Sequence, residues 1–266
     1  MANETQPIWI TIEIPTEAQP GLYTGEVKLT GEMDDKQFEI VRPIQVKVYP
    51  VTIEQTRLWV TNWYNTSPAT IQHVMGGEEV APYTEDYWTF VRMLASKMAE
   101  YRQNVSIISP LRLAEFGLDG TGNYTIDFTN FDKSVDIFIE EGVIGRIEGG
   151  HIGTRAAGWV SDFVVFAPVI EEDTTYLKKF SIKNDTARAF YTEFIPALTK
   201  HLKEKGWDDI YMQHLMDEPT PANVDTYIEI ADFIDKLAPD LKIVEACHSK
   251  DVNQTVDIWV PQLDYM

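Results

Sequence analysis

Two adjacent carboxylates, Asp217 and Glu218, are the residues whose types and spacing suggest chemistry most directly. They follow a short, mostly apolar run at 210–215, which predicts a buried strand, and Pro219 then blocks further strand pairing. The Thr-Pro dipeptide that comes next has the residue types of a helix N-cap and first helical position. We therefore expect the pair at the carboxyl end of a parallel strand, where α/β proteins bind ligands and catalyse reactions. The alternative is that the two acids only favour the positive end of the following helix dipole.

Other polar and aromatic residues are expected at the same edge, because most of them lie at or near the ends of predicted strands. Acids, amides, imidazoles and aromatic rings on one face can bind sugar hydroxyls and stack on a sugar ring. We predict that eight residues bind substrate: Trp63, His151, Trp159, His214, Glu245, His248, Gln262 and Tyr265. Structural roles remain open for several of them, since Trp63 also suits a core and His214 could face either side of its strand. Glu245 lies in an apolar strand, and a buried unpaired carboxylate is costly, which favours a functional position.

Metal-dependent and nucleophilic chemistry are the rivals to acid catalysis. His151, His214, Asp217, Glu218 and His248 could form a metal cluster, but no HxH, HExxH or His-x₃-Asp spacing occurs, so no metal or other cofactor is predicted. There is no G-x-S-x-G nucleophile motif, and the single cysteine gives neither a disulfide nor a CxxC pattern. Two carboxylates without a metal motif favour acid catalysis at an acetal, which is glycoside hydrolysis.

Composition narrows the class of partner. The 266 residues include 22 basic and 42 acidic side chains, which gives a formal net charge of −20. This field repels nucleic-acid phosphates and anionic membranes, so neither is expected as a partner. The sequence also contains no apolar run long enough to span a bilayer. The 7 Trp, 12 Tyr and 12 Phe residues suit both a core and sugar-stacking platforms, which favours a neutral carbohydrate substrate. The oligomeric state is not predicted.

The elements that must position the site alternate between strand and helix patterns after residue 50. Strands are predicted at 57–62, 105–109, 144–148, 210–215, 242–247 and 257–260, with a long loop opening at 149. The predicted fold class is α/β: residues 51–266 form a (β/α)₈-type barrel that is incomplete at its C-terminal end. An open, doubly wound sheet is the alternative, although no glycine-rich phosphate fingerprint supports a dinucleotide fold.

A different pattern occupies residues 1–50. Strands predicted at 8–14, 22–29 and 37–48 are too few for a complete β-sandwich, which normally has about seven. We therefore expect part of a β-sandwich to precede the barrel, and the chain to be a piece of a longer protein.

Three segments in this order resemble glycoside hydrolase family 123: ITIEIPTEAQPGLYTG at 10–25, EGGHIG at 148–153 and MDEP at 216–219. The resemblance covers nearly the whole chain and includes the uncharacterised bacterial relatives of that family. It implies a β-sandwich before a (β/α)₈ barrel, hydrolysis of β-N-acetylhexosaminides, above all N-acetylgalactosaminides, and an extracellular or periplasmic location. It also implies a substrate-assisted retaining mechanism, in which the sugar's 2-acetamido oxygen attacks its own anomeric carbon. In that mechanism Asp217 orients the acetamido group and Glu218 is the general acid/base.

Two other functions stay open at this stage. A retaining glycosidase with two carboxylates would use Glu218 as acid/base and a nucleophile located beyond Met266. A degenerate barrel could instead bind carbohydrate without catalysis. The two predicted truncations also leave open whether the 266 residues are active alone.

Overall fold

The computed structural model describes residues 7–33, 36–53, 58–77, 79–172, 174–252 and 254–262. The chain divides into two compact units, Met1–Arg57 and Leu58–Met266. In the first unit β1 (Gly21–Met33) and β2 (Lys36–Val48) pair antiparallel along their whole length, which confirms the strands predicted at 22–29 and 37–48.

The strand predicted at 8–14 is wrong, because residues 7–15 form no strand. Their alternating isoleucines are exposed, and within the described residues no second strand supplies the hydrogen-bond partners that extended backbone requires. In its described residues this unit therefore contains one two-stranded hairpin, and part of a β-sandwich at residues 1–50 stays a prediction.

The second unit contains the alternation of helices and strands that the sequence predicts. In chain order its elements are α1 (Pro68–Met75), α2 (Glu85–Glu100), β3 (Val105–Ile107), α3 (Pro110–Leu113), β4 (Glu115–Leu118), β5 (Tyr124–Asp127), α4 (Thr129–Glu140), β6 (Arg146–Gly149), β7 (Gly153–Arg155), β8 (Phe163–Glu171), β9 (Thr174–Phe180), α5 (Asp185–Lys205), β10 (Tyr211–His214), α6 (Val224–Leu237), β11 (Ile243–Cys247) and β12 (Ile258–Pro261).

Five of these strands form one sheet in the order β12-β11-β10-β6-β3, and every neighbouring pair is parallel. Five of the six predicted strands of this unit are thereby confirmed. The sixth, predicted at 57–62, is reduced in the described residues to a single parallel bridge between Thr61 and Val105. The acid pair follows β10, which is the central strand of the sheet.

The predicted (β/α)₈-type barrel is wrong. A barrel closes only when every strand has two neighbours, and eight strands are needed at this diameter. Here the sheet is open and curled: among the described residues β12 pairs only with β11, and β3 has only the Thr61 bridge on its outer side. Strand–helix alternation identifies parallel strands correctly, but it does not determine whether the first and last strands meet.

The segment after β6 differs from the predicted long loop. It contains an antiparallel sheet in the order β7-β8-β9, which places Arg155 at the end of β7 and Trp159 in the β7–β8 connection. A second excursion, the β4–β5 hairpin, turns at residues 119–122.

The helices bury their apolar faces in one shared core, and α5 packs against β8, β5 and α6. α5 contributes Phe190, Tyr191 and Phe194, which are fully buried, and Asn184 caps its first turn through two backbone N–H groups. α6 begins later than predicted: it starts at Val224, because Asn223 rather than Thr220 precedes its first turn. Asn223 accepts hydrogen bonds from the backbone N–H and hydroxyl of Thr220, which fixes the turn after the acid pair.

Candidate active site

The acid pair lies in a tightly fixed segment after β10. Leu215 and Met216 are fully buried, whereas Asp217 and Glu218 are half-buried and open to solvent. The backbone N–H groups of Ile152 and Gly153 donate to the Leu215 carbonyl at 3.0 and 3.3 Å. One carbonyl oxygen of the segment, that of Leu215, is thus held by two donors from the β6–β7 side. Glu218 itself adopts a left-handed conformation with φ of 48°.

A buried charge cluster supports this segment from below. His214 Nδ1 donates to Glu148 Oε1 at 2.9 Å, and His214 Nε2 donates to Glu245 Oε1 at 2.7 Å. Burial opposes a charge on this ring, but the hydrogen bonds to the two carboxylates and their negative charges outweigh it and raise the pKa of His214 to about 9. The ring is therefore an imidazolium at neutral pH. Glu245 Oε2 also accepts the Met216 N–H at 3.3 Å, which connects the cluster to the residue before the acid pair.

Trp63 and His151 border the cluster on the β3 side. Trp63 Nε1 donates to Glu148 Oε1 at 3.1 Å, so its half-exposed ring is fixed in place. The ring of His151 lies 5.0 Å from that of Trp63 and 4.2 Å from that of His214, measured between centroids. Burial, followed by the positive charges of His214 and nearby arginines, lowers the pKa of His151 to about 3. His151 is therefore neutral beside a charged histidine.

The Glu218 side of the site is built by the β7–β8 excursion and the end of β11. Glu218 Oε1 lies 3.0 Å from His248 Nε2. Arg155 donates from Nη2 to the Glu218 carbonyl at 2.8 Å and from Nε to the Trp159 carbonyl at 2.8 Å. Its guanidinium also stacks 3.8 Å from the Trp159 ring centre. The antiparallel excursion therefore supplies the clamp that holds the backbone of Glu218.

Asp217 is the less constrained carboxylate. Burial raises the pKa of Asp217 and the charge of Glu218 raises it further, while the positive charges of His214, Arg155 and His248 oppose the shift. Among the residues that the structure describes, none donates a hydrogen bond to its oxygens. A half-buried carboxylate of this kind is suited to accept a hydrogen bond from a ligand.

Two glycines make the geometry possible. A Cβ at Gly149 would lie 1.9 Å from the Tyr211 hydroxyl, and a Cβ at Gly153 would lie 2.1 Å from the Val164 carbonyl oxygen. Both contacts are far inside van der Waals distance, so the EGGHIG segment needs glycine at these positions for the backbone to pass the end of β10.

The structure brings most of the predicted site residues together in two groups. Trp63, His151, His214 and Glu245 form the first group, and Glu218, Trp159 and His248 form the second. Asp217 lies between them, since charges from both groups act on it. Gln262 is exposed just after β12, and its backbone N–H lies 3.5 Å from the Cys247 carbonyl. Tyr265 lies outside the described residues.

Sequence reasoning missed two residues of the site, Glu148 and Arg155. Glu148 is 3% exposed and accepts hydrogen bonds from three side chains, those of His214, Trp63 and Thr61. The signal for it was present, because a lone carboxylate that ends an apolar strand raises the same argument that identified Glu245. Arg155 had no such signal, since its role depends on a sheet that the sequence did not predict.

Within the described ranges, no three His, Cys, Asp or Glu side chains are arranged to hold a metal ion. No helix among these residues is long and apolar enough to cross a membrane. A cavity of about 560 Å³ opens on the His151 side of the cluster, and neither residue of the acid pair lines it.

The comparisons with known proteins agree with this geometry. The sequence profile described as "Glycoside hydrolase 123, catalytic domain" matches residues 63–265, and the one described as "Glycoside hydrolase 123 N-terminal domain" matches residues 1–31. The chain belongs to glycoside hydrolase family 123. The predicted resemblance is thereby confirmed, and the matched catalytic-domain region contains both residue groups of the site.

A solved structure of a family 123 glycoside hydrolase from Clostridium perfringens also matches this family 123 chain. The TM-score is 0.64 at 19% sequence identity, over 96% of this chain and 47% of the other. At this identity the likeness supports the fold. The chain thus spans about half the length of that structure. The comparison with curated proteins gives no significant match.

Proposed function

We propose that this chain carries the active site of a glycosidase that hydrolyses β-N-acetylhexosaminides, most of all N-acetylgalactosaminides. The observation that carries the proposal is the position of Asp217 and Glu218, adjacent and half-buried at the carboxyl end of β10, beside fixed aromatic rings. Family membership supports glycoside cleavage. The Clostridium perfringens enzyme is described as acting in glycolipid glycan hydrolysis, which supports a glycan as the substrate here.

The surrounding carboxylates favour a substrate-assisted mechanism over one with a protein nucleophile. A retaining enzyme with two carboxylates needs a second acid about 5–5.5 Å from the acid/base. Glu148 and Glu245 are near the site, but both are buried and bound to the His214 imidazolium, so neither can reach an anomeric carbon. The described residues therefore leave the nucleophile's role to the 2-acetamido oxygen of the substrate.

The two carboxylates then have separate tasks. Asp217 has carboxylate oxygens that accept no hydrogen bond from a described side chain. It accepts one from the acetamido N–H and thereby holds the acetamido carbonyl oxygen toward the anomeric carbon. Glu218 donates a proton to the leaving oxygen and later removes one from water. His248, 3.0 Å from Glu218 Oε1, is close enough to exchange that proton, and Trp63 and Trp159 offer half-exposed rings for stacking on sugar.

The test compares two substrates that differ in how much their leaving group needs protonation. Glu218→Gln should slow cleavage of a natural glycan by about 10²–10⁴-fold and slow an activated aryl glycoside much less. Asp217→Asn should slow both alike, because formation of the oxazolinium ring is needed in each. Glu204→Gln is the control, because Glu204 is an exposed carboxylate on α5 that pairs with Lys200. This variant should keep full activity.

Each result can also contradict the proposal. Equal losses on both substrates would remove the acid role of Glu218. Full activity in Asp217→Asn, or no inhibition by an oxazoline-mimicking thiazoline, would favour the mechanism with a protein nucleophile. If the wild-type protein binds these sugars but cleaves neither substrate, the non-catalytic binding function takes its place.

A further inference from the structure

We propose that the cavity beside His151 is a second carbohydrate subsite, and that it binds a sugar unit carrying a carboxylate or sulfate group. The inference extends the proposed function, since it adds an acidic unit to the glycan that the site would accept. The cavity has a volume of about 560 Å³, which is within the about 300–1,000 Å³ typical of small-molecule sites. It is lined by segment 64–68, the end of β3, α3, and parts of α2 and α4.

Two buried polar atoms of the cavity lining lack partners in the described part of the chain, Ser109 Oγ and His151 Nε2. An unpaired buried polar group destabilises a folded protein, so buried polar groups are normally hydrogen-bonded. Buried side-chain atoms of Gln103 and Ser106 also lack partners among the described residues, but neither residue lines this cavity. The two that do can be satisfied by ligand hydroxyls, because neutral His151 offers either a donor or an acceptor.

Tyrosines give the cavity walls that suit a sugar ring. Tyr64 stacks on Phe138 with ring centres 5.4 Å apart, and Tyr83 and Tyr87 meet edge to face at 5.5 Å. The Tyr87 hydroxyl is bonded to Thr66 Oγ1 at 3.1 Å. These rings are held in place before any ligand arrives, which reduces the entropy lost on binding.

The charge of the lining points to an acidic group on that sugar. Among the described residues that line the cavity, Arg112 is the one charged side chain and none is a carboxylate. Its guanidinium lies 5.0 Å from the Phe166 ring centre, and among the described residues no acid pairs with it. An arginine without an acid is notable where acidic side chains outnumber basic ones by 42 to 22. The guanidinium fork matches a carboxylate or sulfate, and salt screens the distant net charge beyond about 8 Å.

The cavity adjoins the candidate active site at His151. That ring lines the cavity and also contacts both Trp63 and His214. A glycan with one unit in the cavity would therefore continue past Trp63 toward the acid pair.

The experiment measures binding and does not depend on activity. D-glucuronate, D-glucose 6-sulfate and D-glucose are titrated into the protein by isothermal calorimetry, with a saturating thiazoline present to occupy the site at the acid pair. Both anions should bind, and the affinity for glucose should be lower by about tenfold or more. Arg112→Gln should weaken the two anions about 10–100-fold without changing glucose, as expected for loss of a charged hydrogen-bond partner. Arg188→Gln, which removes an arginine stacked on Phe233 at 4.4 Å, is the matched control and should leave all three unchanged.

Ser109→Ala gives an independent variant if Arg112→Gln fails to fold. It removes an unpaired hydroxyl, so thermal stability should stay equal or rise while binding of all three sugars weakens. Equal binding of the three sugars to wild type, unchanged anion binding in Arg112→Gln, or displacement of the anions by the thiazoline would each overturn the proposal. Binding of only one anion would overturn the assignment for the other. Absence of glycosidase activity would refute the proposed function and leave these binding results unaffected.

Discussion

The buried imidazolium of His214 predicts that the protein loses stability as pH rises from neutral to alkaline values. The ordinary pKa of histidine is 6.5, and that of folded His214 is about 9. Between these values the unfolded chain releases its proton and the folded protein keeps it, so folding binds a proton and the free energy of unfolding falls with pH. At 1.36 kcal/mol for each pH unit, the stabilisation from the His214 proton amounts to roughly 3 kcal/mol. This stabilisation is fully present below pH 6.5 and is lost above about pH 9.

Urea unfolding between pH 6 and 10 measures this loss directly. A single His214→Gln variant is a poor reference, because it leaves two buried carboxylates unpaired and should itself cost about 3–5 kcal/mol at neutral pH. The matched reference is a variant in which Glu148, His214 and Glu245 are all glutamine, since it keeps the shapes and removes every titrating group of the cluster. Wild type should lose roughly 3 kcal/mol more than this variant over the range.

Histidine-selective ¹⁵N NMR gives a second readout on the same samples. His214 should keep both ring protons until about pH 9, and His151 should stay neutral down to about pH 3. Parallel stability curves for wild type and the triple variant, together with a neutral His214 ring at pH 7, would refute the reasoning.

Three further predictions follow from the site. Arg155→Met should slow cleavage of a natural glycan about 10–100-fold and an activated aryl glycoside much less, because it releases the Glu218 carbonyl. Arg188→Met is the control. Equal losses on both substrates would contradict a positioning role for Arg155. Gly149→Ala should lower the free energy of unfolding by about 1–3 kcal/mol in thermal denaturation, whereas Gly158→Ala, which meets no atom within 4 Å, should not. Trp63→Ala should weaken thiazoline binding about tenfold, with partial retention in Trp63→Phe; unchanged affinity would show that its ring is not a sugar platform.

The sequence predicted the parallel strands well because each is a short apolar run between helical patterns. It failed where pairing depends on distant partners. The run at 57–62 resembles the other strands, yet in the described residues it retains only the Thr61 bridge. The segment at 8–14 alternates as a strand should, but no strand in the described part of the chain pairs with it. Barrel closure could not be inferred for the same reason, since it concerns the edges of the sheet rather than any strand.

The candidate site shows the same division between local and distant information. Asp217 and Glu218 could be located because a strand end, a proline and two acids are adjacent in sequence. The link from Glu148 through His214 to Glu245 joins three strands, so its hydrogen bonds cannot be read from spacing. Arg155 depends on the β7-β8-β9 sheet, whose third strand is mostly exposed and polar and therefore resembles a loop.

The left-handed backbone of Glu218 makes stability and the proposed function favour different residues at this position. A side chain at φ of 48° costs about 1–2 kcal/mol relative to the usual conformations, and glycine avoids most of that cost. Variants screened for thermal tolerance alone would therefore enrich glycine at 218, and they would lose the proposed acid in the same step. Engineering for robustness must hold this position fixed, because the substitution that relieves this backbone strain also removes the proposed proton donor.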